Sequence, residues 1–197
     1  MSLYPFFKSA RRIFDKFIIF PYYLKKIKSY GYGIDFGHGF YINHPECLSL
    51  GDNVEFNEGC WISVLKSNVQ KNSQPIDLSP KVSIGSNTYI GRFATIACMD
   101  SVEIGKSVLI SDRVYIGDCH HGFSSPDLAI KDQYMYSPGP VVIGDGAWIG
   151  INVAILPNVK IGRNCVVGAN SVVTKDIPDY HIAAGNPAII LRSTLNQ

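Results

Sequence analysis

The chain has 197 residues, 46% of them hydrophobic and only 17% charged, enough apolar content for one domain with a full core. Its net charge of +2 and the confinement of its basic excess to one end argue against a general nucleic-acid binder. Five scattered cysteines without CxxC spacing exclude a disulfide scaffold and point to a reduced, cytoplasmic protein. No run reaches transmembrane length, and no apolar stretch with a small-residue cleavage site opens the chain.

Residues 1–30 carry Lys8, Arg11, Arg12, Lys16, Lys25, Lys26 and Lys28 against Asp15 alone, so the remainder of the chain is net acidic. Within 3–28, Phe6, Phe7, Ala10, Ile13, Phe14, Phe17 and Ile18 recur at spacings of three and four, which predicts an amphipathic helix. Pro21 is expected to end or kink it, with a second segment from Tyr22. Such a basic, aromatic helix fits either of two places. It can rest on an anionic membrane face through residues 1–28, or it can cap the end of the domain that follows.

From Ile34 a period of six begins, loosely at first through Phe36, Ile42, Leu50, Phe56 and Ile62. Residues 66–81 interrupt it with a polar, proline-containing stretch that reads as an external loop. The period resumes at Ile84, Ile90, Ile96, Ile104, Ile110 and Ile116, with eight-residue steps at 42–50 and 96–104 that read as corners with two extra residues. It fails again over 120–140, HHGFSSPDLAIKDQYMYSPGP, which cannot lie in a regular wall and must leave and return. From Ile143 the hexads run without a slip: Ile143, Ile149, Ile155, Ile161, Val167 and Val173, each preceded two residues earlier by a small residue such as Ala147, Val153, Val159, Cys165 or Ser171. Neither a helical nor an alternating pattern gives a strict six. A β-helix does, since each short strand gives inward residues and the chain then turns a corner. Gly, Asp and Asn after each aliphatic suit those corners. Three hexads make one triangular turn, so 34–178 holds about six turns, a prism about 30 Å tall at about 4.8 Å per strand. The expected division is 1–33 helical segment, 34–178 β-helix, and 179–197 a tail that leaves the solenoid after Val173.

Ile-Gly hexads, a histidine-bearing loop, WIG, ILPNVKIG, VVGANSVVTKDIP and AGNPA together resemble the left-handed β-helix (hexapeptide-repeat) acyltransferases over about residues 34–192. The series is most similar to CoA-dependent O-acetyltransferases acting on sugars: maltose and galactoside acetyltransferases, and those modifying capsule, polysialic acid or lipopolysaccharide. The resemblance implies a left-handed coil, a homotrimer with active sites between adjacent prisms, acetyl-CoA as co-substrate, a carbohydrate acceptor, and a loop histidine as general base. Counting from Tyr115 and back from Ser125-Pro126, the family's histidine falls on His121 without a gap and on His120 with a shift of one. Asp118, Asp112 or a backbone carbonyl would orient that imidazole. Trp148, too large to face inward at a hexad corner, stacks near the base in some relatives, and packing at a trimer interface is its alternative. Carried onto matching positions, the CoA contacts fall on the backbone of Ile151 and Ala169 and on Thr174, Lys175 and Arg192, with the Ile151 amide as donor to the thioester oxygen. Relatives often have Gly where Ile151 stands. Asn57, Phe123, Lys131, Tyr134 and Tyr136 are the acceptor-side candidates.

Three rival readings remain. The γ-type carbonic anhydrases share the fold but need three separated histidines on zinc, and the adjacent 120/121 pair does not give that spacing, so no metal is expected. An N-acetyltransferase of an amino sugar nucleotide or an antibiotic would use the same fold. A non-catalytic solenoid would need neither the histidine loop nor VVTKDIP. The favoured reading is an O-acetyltransferase of a bacterial surface polysaccharide or its sugar precursor, working in the cytoplasm or at the inner face of the membrane.

Overall fold

The computed structural model describes residues 15–68 and 73–195. Three parallel sheets form the three faces of a left-handed β-helix, and the chain visits them in rotation. Face one carries Asp35–Phe36, Glu55–Phe56, Tyr89–Ile90, Leu109–Ile110, Trp148–Ile149 and Val166–Val167. Face two carries Tyr41–Ile42, Trp61–Val64, Thr95–Cys98, Tyr115–Gly117, Ala154–Ile155 and Val172–Val173. Face three carries Leu48–Leu50, Lys81–Ile84, Ser101–Ile104, Val141–Ile143 and Lys160–Ile161.

The register keeps each aliphatic over its equivalent. Phe56 stands against Ile90, Ile90 against Ile110, Ile110 against Ile149 and Ile149 against Val167. Because a β residue and its second neighbour share a side, the hexad aliphatic and the small residue two before it both face inward. Ile149, Ile155 and Ile161 are fully buried, as are Ala147, Val153 and Val159. At the third position after the aliphatic the backbone takes positive φ: Gly146, Asn152, Asn158, Asn164 and Asn170. Asn tolerates this conformation better than other side-chain-bearing residues. The asparagines also bond along the axis, as from Asn152 Nδ2 to Asn170 Oδ1 at 3.0 Å.

The step at 42–50 places its extra residues in the corner, as a 3₁₀ turn Pro45–Cys47 after the two-residue strand Tyr41–Ile42, whereas the step at 96–104 and the exit to the first loop lengthen strands. Trp61–Val64 and Thr95–Cys98 each hold four residues, and Val64 and Cys98 add a second inward contact beside Ile62 and Ile96. A buried contact stabilises more than a longer solvated turn would, so at these two places the extra residues are drawn into the wall.

Three sequence expectations change at the ends and loops. Residues 1–14 of the predicted N-terminal helix lie outside the described residues. A π-helical turn, Asp15–Ile19, runs straight into the α-helix Phe20–Leu24, with Pro21 in its first turn. A missing N–H costs nothing there, so Pro21 starts a helix instead of ending one. Tyr23 and Ile27 are buried over the first coil, where Tyr23 meets Phe40 edge-on with centroids 5.4 Å apart. The carboxylate of Asp15 pairs with Nδ1 of His38. This segment covers the end of the prism. At the other end, Ile177 bridges to Ile161 and His181–Gly185 pairs in parallel with Val166–Val167. The chain thus makes one more pass on face one, then closes with antiparallel Ala188–Ser193. Ala183, fully buried, supplies the inward contact that keeps it there. Finally, the loop of 66–81 contains an antiparallel pair, Ser67–Asn68 with Ile76–Asp77, and Lys81 already belongs to face three.

Candidate active site

Both excursions leave the same edge of the prism, between faces two and three. The first runs from Val64 to Lys81 and the second from Gly117 to Val141, with the Met99–Asp100 turn of the intervening coil between them. Asp118, fully buried, holds that turn by accepting the amides of Met99 and Asp100 at 2.7 and 2.8 Å. It therefore does not orient a histidine. Burial, and then this carboxylate, push the thiol of Cys119 up to about 12. Asp112 is committed in a similar way. It takes the Arg92 amide at 2.8 Å and the Arg92 guanidinium at 2.6 Å, which keeps its carboxyl below the usual range.

In the second excursion His120–His121 pairs antiparallel with Met135–Tyr136. Adjacent residues of a strand face opposite ways, and the two histidines divide accordingly. His120 faces a cavity of about 410 Å³ lined by Phe123, Ser125, Gln133, Tyr134 and Tyr136. Its ring stacks on Phe123 at 5.6 Å and lies tilted to Tyr136 at 5.3 Å. Its Nδ1 sits 2.9 Å from the carbonyl of His121. A carbonyl only accepts, so Nδ1 carries a proton and donates it there. His121 faces outward and is exposed. A backbone carbonyl, not an aspartate, orients the inner ring.

The structure thus brings Phe123, Tyr134 and Tyr136 together around His120. Lys131 stands apart, exposed and 3.2 Å from the Asp132 carboxylate. Thr174 and Lys175 follow Val173 on the same edge as the histidine loop, two coils further along. Ile151, Ala169 and Asn57 lie on a different edge, between faces one and two. Asn57 is held there by a 2.8 Å bond to the hydroxyl of Tyr89. Trp148 lies half-exposed on face one with its indole N–H donating to Ser111 Oγ at 3.2 Å. Arg192 is exposed on the closing strand, opposite Ile182. The candidate residues of one chain therefore fall on two edges, separated by the whole width of face two.

The edge between faces one and two has a further property. At the second position after the hexad aliphatic, the backbone N–H is capped by a side chain one coil on at Arg92, by Asp112, and the same device recurs between faces three and one, where Ser86 caps Asp52, Asp145 caps Lys106 and Asp179 caps Arg163. The amides of Asp112, Ile151 and Ala169 have no partner among the described residues. These three are stacked on successive coils of one edge.

Two residues of the loops carried no signal in the sequence. Gln133, 6% exposed, fastens its own loop by accepting the Ser125 amide and donating to the carbonyls of Ser125 and Leu128, each at 3.0 Å. Asn68, 5% exposed, bonds Met135 across from the other loop. A lone Asn or Gln in a polar stretch looks like any solvated residue. Among the described residues no group of His, Cys, Asp and Glu is arranged to hold a metal, and no helix is long and apolar enough to cross a membrane.

A family model described as bacterial transferase hexapeptide (six repeats) matches residues 140–175. The chain is 37% identical over 136 residues to a probable acetyltransferase of Mycobacterium tuberculosis, covering 68% of this chain and 43% of that one. It is 32% identical over 159 residues to the putative lipopolysaccharide biosynthesis O-acetyl transferase WbbJ of Escherichia coli, covering 77% and 74% respectively. The chain thus spans less than half of the first relative and about three quarters of the second. In fold it is similar to AntD, an N-acyltransferase from Bacillus cereus solved in complex with dTDP and 3-hydroxybutyryl-CoA. The TM-score is 0.66 at 21% identity, over 90% of this chain and 88% of that one. Unbroken hexads, the parallel prism they build and a relative matched over most of its length converge on one assignment: the chain belongs to the hexapeptide-repeat acyltransferase family.

Proposed function

We propose that the protein is an acetyl-CoA-dependent O-acetyltransferase that acts as a homotrimer on a hydroxyl of a bacterial surface polysaccharide or its sugar precursor. The observation that carries this is the split site. A histidine pair stands on one edge and a row of uncapped amides on another, so a second protomer is needed to complete the reaction centre. In a parallel trimer the groove between prisms would set the Ile151 and Ala169 amides of one chain beside the histidine loop, Thr174 and Lys175 of its neighbour.

Acetyl-CoA would lie along that groove, with its amide and thioester oxygens on the vacant N–H groups and its phosphates toward Lys175 and Arg192. His121, outward-facing, takes the proton of the acceptor hydroxyl. The oxygen attacks the thioester carbon, the Ile151 N–H holds the negative charge that develops on the carbonyl oxygen, and the CoA sulfur leaves, taking the proton back from the imidazolium. No covalent enzyme intermediate is required. The cavity of His120, Phe123, Tyr134 and Tyr136, on the opposite side of the hairpin from His121, would take a neighbouring part of the acceptor, and Trp148 adds an aromatic face from the neighbouring prism. The cytoplasm is where this reaction would run. Exposed Phe17, Ile18 and Tyr22 beside Lys25 and Lys26 suit contact with the inner face of a membrane.

An amine acceptor is the second reading, favoured by the fold shared with AntD, an N-acyltransferase in complex with dTDP. The same base and donor serve either nucleophile. The experiment is thiol release from acetyl-CoA against surface glycans and amino sugar nucleotides, with the product tested for base lability. An ester hydrolysed by mild base supports O-transfer, and a base-stable amide moves the assignment to N-transfer. His121→Ala is expected to lower kcat by about 10²-fold or more while acetyl-CoA affinity holds. That loss in His120→Ala, with His121→Ala near the parent, would move the base to His120.

A further inference from the structure

The two-residue ladder that carries the histidines is too short to hold itself. An isolated hairpin of ordinary length is marginal in water, and this one has two rungs. Its outer strand, Met135–Tyr136, would present unpaired backbone on the side away from His120–His121. Asn68 occupies that side. Its Oδ1 accepts the Met135 N–H at 2.9 Å and its Nδ2 donates to the Met135 carbonyl at 2.8 Å. A carboxamide has the same donor and acceptor as a peptide unit, so Asn68 does for Met135 what a third strand would do. Met135 is in turn the rung partner of His121.

We infer that Asn68 is a positioning residue for the histidine pair, and that the antiparallel pair Ser67–Asn68 with Ile76–Asp77 is the clasp that sets the acceptor side of the site. The inference rests on the acyl-transfer reading above. Three further observations support it. Asn68 is buried and both ends of its carboxamide are used on one residue, so it is committed to this contact. The hydroxyl of Tyr134 donates to the carbonyl of Gln74 at 3.3 Å, a second tie between the same two loops. Gln133 braces the hairpin from within its own loop, so Asn68 is the counterpart on the other side. The vacant amides that would receive acetyl-CoA belong to a different edge of the prism and share no residue with the clasp. Loss of Asn68 therefore disturbs the base and the acceptor wall while leaving donor binding alone.

The test uses the full chain and three readouts. Hydrogen exchange over a peptide containing Met135 reads the bond directly, acetyl-CoA affinity reads the donor side, and thiol release from acetyl-CoA, with water and with each glycan of the panel as acceptor, reads turnover. Asn68→Ala is expected to speed exchange at Met135 and lower kcat/KM for the acceptor by about tenfold or more, with acetyl-CoA affinity within about twofold of the parent. Asn68→Asp keeps the acceptor for the Met135 N–H but, when ionised, has no donor for the carbonyl. Its activity relative to the parent should therefore climb as pH falls from about 8 to about 5, because the protonated carboxyl regains an O–H donor. A residue that merely filled space would give no such pH rescue. Unchanged exchange in Asn68→Ala would overturn the clasp. Faster exchange with turnover within about twofold of the parent would overturn the positioning role. A parent that neither binds acetyl-CoA nor releases thiol would remove the reaction the proposal depends on, while the exchange arm would still show whether the bond exists.

Discussion

Ala169 stands one coil beyond Ile151, at the place from which Asp112 caps the Arg92 amide on this edge, as Ser86, Asp145 and Asp179 do between faces three and one, and it has no acceptor to give. Ile151 likewise fails to cap Asp112. Two apolar residues at consecutive capping positions leave a run of backbone donors open along this edge. An exposed N–H of this kind is solvated when free and costs little to hold in readiness. A ligand carbonyl that replaces that water gains about 0.5–1.5 kcal/mol per bond, and more where charge develops during reaction.

Restoring the missing cap should close the groove. In Ala169→Asp the new carboxylate would take the Ile151 amide as Asp112 takes that of Arg92. Acetyl-CoA affinity should fall by about tenfold or more, with thermal stability equal to or above that of the parent. Unaltered affinity, measured by calorimetry, would mean that the donor does not use this amide.

A pair of substitutions two residues apart separates wall from groove. Ile149 is fully buried under face one and Ile151 is 40% exposed at the edge. Ile149→Ala should destabilise by about 2–5 kcal/mol in urea unfolding. Ile151→Ala should change stability by no more than about 0.5 kcal/mol and leave acetyl-CoA binding nearly intact, since the backbone N–H survives. A large loss of affinity in Ile151→Ala would put the side chain, not the amide, in contact with the donor.

The cysteines should resist modification in the folded state. Burial pushes Cys60 up to about 11, and burial together with Asp118 raises Cys98 and Cys119 further. The thiolate is the reactive form, so at neutral pH iodoacetamide should reach partly exposed Cys47 slowly and the four buried cysteines only after unfolding. Mass mapping of the alkylated peptides decides this, and early labelling of Cys119 would show that the root of the histidine loop opens readily.

Acid should find one weak point at the edge of face one. Arg92 lowers the pKa of Asp112 in the folded chain, so the pair stabilises at pH values above the unfolded carboxyl's range near about 4. That contribution is lost as pH falls through the lower folded value. Asp112→Asn should therefore flatten the acid limb of the stability curve below about pH 4 and have a small effect at pH 7. An identical acid limb in parent and variant would show that the pair adds nothing.

The prism was legible because its physics is local and repeated. Ile143 through Val173 recur at six with small partners two residues before, and only an inward-facing wall needs that pattern. The loops obey no repeat. That His120 and not His121 faces the cavity follows from which side of Met135–Tyr136 they pair with, and that pairing depends on Asn68, more than sixty residues away in sequence. Asp118 looked like a partner for the imidazole because it is close in sequence, yet its carboxylate answers the coil below. The amide row was half legible, since Ile151 and Ala169 were candidates by resemblance, but their vacancy shows only when each edge is followed coil by coil. Pro21 and the last pass at His181–Gly185 were misplaced because the ends of a repeat are where its period stops constraining the chain.

Each coil here bonds only to the one before and the one after, so a length of chain let out at an edge disturbs no register elsewhere. Both excursions are of that kind, and they leave from one edge close enough to touch. Such a molecule separates what must stay constant from what is free to change. On the proposed reading its donor-facing edge is fixed by the wall itself, while the part that would read the acceptor hangs from it as a replaceable fitting whose two pieces, meeting at Asn68 and Met135, have to be exchanged together.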